Sequence, residues 1–165
     1  MSALKILLAA AAALLVAGCP FSAEFPLSSP AEAVADTALP GAWKTAAESE
    51  EQFTLRIHDT GGGQLRIVAE SPEEEPESFP AFVSAVGGQT FLNLQDTAEG
   101  GPWFFANYRL EGGRLMLRLV DDELFESLSF ASSEDLRAFV LRNLLDPRLY
   151  GGEQGGEWDW VLERG

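Results

Sequence analysis

From residue 39 onward, apolar residues alternate with polar ones in short runs, and each run ends at a turn signal. Phe53, Leu55 and Ile57 alternate with Thr54, Arg56 and His58, the period-two mark of a strand with one buried face. Asp59-Thr60-Gly61-Gly62-Gly63 then reads as a hairpin loop. Beyond it Leu65, Ile67 and Ala69 alternate with Gln64, Arg66 and Val68. The same logic predicts strands over 42–46, 79–86, 90–95, 103–110 and 114–120, with Gly87-Gly88 and Gly112-Gly113 as tight turns. Trp158, Trp160 and Leu162 mark a last strand.

Between the seventh and eighth strands the period lengthens. Leu124, Phe125 and Leu128 suggest a short helical turn. Ser132 with Asp135 forms a capping box, and Leu136, Phe139, Val140 and Leu144 recur at helix spacing until Pro147 stops the run. The expected fold is all-β with one helix. About eight antiparallel strands are expected to form a small up-and-down barrel, and the first strand pairs with the last to remove the open edges.

The chain before residue 39 follows a different pattern. Lys5 precedes an uninterrupted apolar run from Ile6 to Ala17, shorter than the roughly 20 residues a spanning helix needs. Val16-Ala17-Gly18-Cys19 reads as a lipobox: cleavage after Gly18, then thioether lipidation of Cys19. Cys19 is the sole cysteine, so an intramolecular disulfide is impossible. Residues 1–18 are therefore read as a signal peptide. Residues 19–38 are read as a lipidated Pro/Ser/Ala tether in which Phe21, Phe25 and Leu27 are apolar enough to dock. Residues 39–165 form the barrel domain. The address is the cell envelope; Pro20 after the cysteine, rather than Asp, favours the outer membrane in a Gram-negative host.

Charge narrows the partners. The formal net charge is −15, and without Lys5 it becomes −16. Lys44 is then the sole lysine beside nine arginines. Such a surface repels nucleic acid and anionic headgroups, so the membrane partner is reached through Cys19 and the body is expected to stand off it.

Leu39-Pro40-Gly41-Ala42-Trp43 resembles the G-x-W start of the first strand in lipocalins and related calycins. That resemblance implies a Trp packed across the closed end of the barrel, with a basic side chain of the last strand, here Arg164, lying on it. Cys19-Pro20-Phe21, Pro26-Leu27-Ser28, Leu39-x-Gly41-x-Trp43, Gly87-Gly88 with Thr90-Phe91-Leu92-Asn93, and Leu119 to Glu123 resemble a family of uncharacterised bacterial lipoproteins. This second resemblance implies address and architecture, with no assigned activity.

Candidate chemistry is sparse. His58 beside Asp59 could pair a base with its orienter, but no G-x-S-x-G elbow accompanies it, and an exposed turn histidine is the simpler reading. Glu73-Glu74-Glu75 and Asp121-Asp122-Glu123 lack the order of a calcium loop and read as solvated charge. No cofactor, metal or catalytic set emerges. Phe53, Phe91, Trp103, Trp158 and Trp160 are expected to fill the barrel. If the barrel were instead hollow, Trp43, Phe53, Phe105 and Tyr108 would line it. The leading expectation is a non-enzymatic binding or interaction module contacting an envelope protein. A carrier of a small hydrophobic molecule comes second, and a carboxylate-based envelope hydrolase is a distant third.

Overall fold

The computed structural model describes residues 20–96, 100–151 and 157–165. Among them the chain forms nine strands and one α-helix. β1 (Ser22–Ala23) is followed by β2 (Gly41–Thr45), β3 (Thr54–Gly61), β4 (Gln64–Glu70), β5 (Glu77–Val86), β6 (Gln89–Gln95), β7 (Trp103–Glu111) and β8 (Arg114–Leu119). The helix α1 (Ser133–Arg142) precedes β9 (Trp160–Arg164). Strands β2 to β9 pair in sequence order, all antiparallel. β9 pairs β8 on one side and β2 on the other, with Trp43 opposite Arg164, so the sheet closes into an eight-stranded up-and-down barrel. The helix lies between the seventh and eighth barrel strands, where the period change placed it.

Turn chemistry sets this register. A two-residue hairpin of the kind that matches strand twist needs positive φ at both central residues. Gly87 and Gly88 supply +57° and +80°, and Gly112 and Gly113 supply +59° and +76°. Gly87 has a second reason to lack a Cβ: the Leu141 and Leu144 side chains occupy the space one would take.

Alternation sorts the apolar residues into two clusters on opposite sides of the barrel wall. The interior cluster includes Trp43, Phe53, Leu55, Ile67, Leu92, Tyr108, Leu117 and Trp160. The exterior cluster lies over β5, β6 and β7, where Val86, Phe91 and Phe105 meet Leu136 and Val140 of α1. Ser132 caps α1, its hydroxyl accepting from the Asp135 amide at 3.2 Å. The helix ends at Arg142, short of Pro147, because the Asn143 side chain donates to the Phe139 carbonyl and its backbone leaves the helical region. Pro147 instead opens a 3-10 turn over Pro147–Tyr150.

Two expectations need correction. β5 starts at Glu77 rather than Phe79, since Glu77 and Ser78 pair with Ala69 and Val68. The larger correction concerns residues 20–38, read as a tether. They lie against the outer wall as a strap. β1 pairs with Phe104 and Trp103 of β7, where β8 has already ended. Leu27 is completely buried in the exterior cluster, and the Val34 amide donates to the Val83 carbonyl. The strap escapes periodicity because each anchoring residue stands alone, and the side chains that latch Leu27 and Ser28 lie 66 and 56 residues away.

Candidate functional site

Cys19 and Gly18 lie outside the described residues. What is described is the landing place of the chain just after them. Pro20 forms a bridge with Asp121, and the Phe21 amide donates to the Val120 carbonyl at 2.9 Å. The Phe21 ring stacks on Phe125, centroids 3.7 Å apart, and lies 5.9 Å from Phe105. Asp121 is buried there. Its Oδ1 accepts from the Glu123 amide, and burial raises its pKa above the usual carboxylate range.

The strap is latched by polar groups on the outer wall. Asn93, fully buried on β6, accepts from the Leu27 amide at 2.8 Å and donates to the Ser84 hydroxyl and the Phe82 carbonyl. The Ser28 and Ser84 hydroxyls hydrogen-bond each other at 2.6 Å. The sequence offered one signal for this latch: Ser84 and Asn93 are polar residues inside otherwise apolar strands.

Inside the barrel, three of the four residues proposed to line a ligand cavity do face the core: Trp43, Phe53 and Tyr108. Phe105 does not; register turns it outward into the exterior cluster. Phe91 and Trp103, expected as filling, also point outward, while Trp158 stacks beside Arg118 on the outside. Phe53 and Trp160 meet edge to face at 6.0 Å in the interior. A void there of about 20 Å³ is lined by apolar side chains, Leu55, Phe79, Leu94 and Trp160 among them. A water would just fit but would find no hydrogen-bond partner, so the void is dry.

Around Trp43 lies the contact that the Gly41-x-Trp43 resemblance implied. Arg164 lies 4.4 Å over the Trp43 ring and donates to the Ala38 and Pro40 carbonyls. The Trp43 indole donates to the Leu39 carbonyl at 2.8 Å. Beside them the Tyr108 hydroxyl donates to Asp36 Oδ2 at 2.7 Å, and burial drives its pKa far upward.

A groove of about 590 Å³ opens between the strap and β7, lined by Asp36, Thr90, Asn107, Tyr108, Arg118 and Trp158 among others. Its fixed charge is Arg118. The guanidinium donates to Asn107 Oδ1 at 2.8 Å and lies over the rings of Tyr150 and Trp158, at 3.7 and 4.7 Å. A planar cation held between aromatic faces is ordered before any ligand arrives. Asp159 stands next to it. The residue as a whole is exposed, yet its carboxylate packs against β8 and accepts from the Leu119 amide at 2.7 Å. Desolvation pushes its pKa up to about 6, against the opposing pull of that amide and of Arg118.

Asp59, the orienter considered for His58, is engaged elsewhere. His58 is exposed on β3, and Asp59 Oδ1 accepts from the Gly61 amide, so that carboxylate holds the turn rather than orienting an imidazole. Among the described residues, no three His, Cys, Asp or Glu side chains gather around a metal position, and no helix is long and apolar enough to cross a membrane. No family model, curated protein or solved structure matches the chain.

Proposed function

We propose that this chain is a lipid-anchored lipoprotein of the bacterial envelope, outer-membrane in a Gram-negative host, acting as a non-enzymatic binding or interaction module. The observation that carries the reading is the filled interior. A barrel whose core leaves about 20 Å³ open has no room for a lipid-sized cargo, so recognition falls to the outer surface. The groove around Arg118 is the surface best suited to it, being concave, mixed in polarity and rigidly charged. The carrier reading draws no support from so small a void.

Crosslinking in the native host tests the module. A photoreactive residue at Arg109, in the groove, should capture a discrete partner, and one at His58, on the far wall, should not. Equal capture at both positions would remove the groove from consideration. Native mass spectrometry of the purified lipoprotein tests the carrier, since a bound small molecule would revive it. The anchor is tested by Cys19→Ala, which should leave an unprocessed or detached form; unchanged membrane partitioning of a processed variant would refute lipidation.

A further inference from the structure

Four phenylalanines form one cluster beside the point where the strap leaves for Cys19. Phe125 stacks on Phe21 and lies 6.0 Å from Phe130 and 5.1 Å from Phe139; Phe130 and Phe139 are 5.6 Å apart. Phe125 is buried, but Phe21, Phe130 and Phe139 keep part of their surface in solvent. Leu128, three residues after Phe125, is 48% exposed. The chain turns there through Ser127, which takes a left-handed φ of +62°.

We propose that this patch is a membrane-contact surface, seated on a zwitterionic bilayer and working as a second point of attachment beside the lipid. The inference rests on lipidation of Cys19. Only Pro20 separates Cys19 from Phe21, so their Cα atoms are at most about 7 Å apart. A diacylglyceryl thioether places its glycerol at the boundary between headgroups and acyl chains. Phe21 is bound to the wall by β1 pairing and by the Val120 carbonyl, so there is no slack between lipid and barrel. The wall nearest the strap's start must therefore sit within reach of the headgroups. Aromatic and leucine side chains gain by burial at that depth. Tight attachment thus overrides the stand-off that net charge alone implies.

Charge selects the lipid. Asp122, Glu123, Glu126, Glu134 and Asp135 border the patch in sequence, and anionic headgroups would be repelled by them. Phosphatidylcholine or phosphatidylethanolamine surfaces carry no such penalty.

The sole cysteine makes the test clean. In the lipidated protein Cys19 is blocked, so an introduced cysteine is the one free thiol. Leu128→Cys and His58→Cys would each carry a nitroxide; both positions are exposed, and β3 lies four strands from β7 in either direction around the ring. On phosphatidylcholine vesicles, the label at 128 should show a several-fold higher ratio of oxygen to nickel-chelate collisions than the label at 58. Equal aqueous ratios at both positions overturn the contact. Added phosphatidylglycerol at low salt should move the label at 128 back toward water, and no movement overturns the lipid preference. The unmutated protein separates the two layers of the argument. If it takes up label, Cys19 is free and the anchor itself fails. If it does not, an aqueous result at 128 removes the patch and leaves the anchor standing.

Discussion

The two apolar clusters differ in how the chain assembles them. The interior cluster is contributed by neighbouring strands, each supplying every second residue, and the void among its side chains at Leu55, Phe79 and Trp160 is about 20 Å³. The exterior cluster is assembled from remote pieces: the strap near residue 27, the faces of β5 to β7, helix α1 and the 3-10 turn at Pro147–Tyr150. The interior cluster is uncharged. The exterior is bordered by a polar latch, a stacked arginine and a carboxylate with a shifted pKa. The interior thus fixes the architecture, while the chemistry available to partners lies on the wall.

The sharpest way to break this contrast is to compare one anchor from each cluster. Trp43→Ala removes a buried indole, its bond to the Leu39 carbonyl and its stacking under Arg164. A loss of roughly 3–5 kcal/mol is expected, felt by every strand, with urea unfolding still one cooperative step. Leu27→Ala should cost about 2–4 kcal/mol, near the lower part of the range for buried leucines, because the strap can partly release. Hydrogen exchange should then quicken over residues 20–39 while β3 and β4 keep their protection. Uniform quickening in both variants would mean that the wall and the interior are one cooperative unit and that the contrast drawn here is only geometrical.

This division also explains what could be read along the chain. Most strand positions, the helix insertion and β2–β9 closure were legible, because a two-residue period and glycine turns are local signals; the Arg164–Trp43 contact came instead from the resemblance of Gly41-x-Trp43 to a lipocalin first strand. The direction of Phe105, Phe91 and Trp103 was not. Both faces of β7 are apolar, so alternation could not say which one the barrel encloses. The strap was legible only in part. Phe21 and Leu27 were read as able to dock, and they do, but where Leu27 docks is set by Asn93, 66 positions away, which supplies its amide with an acceptor. The Arg118 groove was invisible, since it joins β7, β8 and the approach to β9 through contacts that no spacing rule encodes.

The latch gives the next largest effect. Asn93→Ala leaves the buried Leu27 amide without its acceptor and takes from the Ser84 hydroxyl one of its two partners, Ser28 being the other. A cost of about 1–3 kcal/mol is expected from the unsatisfied amide. The loss should be additive with Trp43→Ala, which lies in the other cluster, and clearly non-additive with Leu27→Ala, which shares the latch. A thermodynamic cycle of the double variants measures this. Coupling to Trp43 as strong as to Leu27 would erase the boundary between the two clusters.

The smallest effect is confined to the wall and appears only with pH. Asp159 has a native pKa near 6 against its ordinary 3.8, so the folded chain holds that proton more tightly than the unfolded one. Its stabilising contribution is full below about pH 4 and is lost as pH rises through 6. Asp121, also raised by burial, acts in the same direction. Acidification further relieves the repulsion within a chain of net charge −15, so a rise in stability on going from pH 7 to 5 would not by itself identify Asp159. The comparison that does is Asp159→Asn, which keeps an acceptor for the Leu119 amide and removes the titration. Urea midpoints measured from pH 7 to pH 4 should rise less steeply in the variant than in the parent, with the two curves drawing together toward pH 4. Parallel curves would show that this carboxylate titrates like any surface acid.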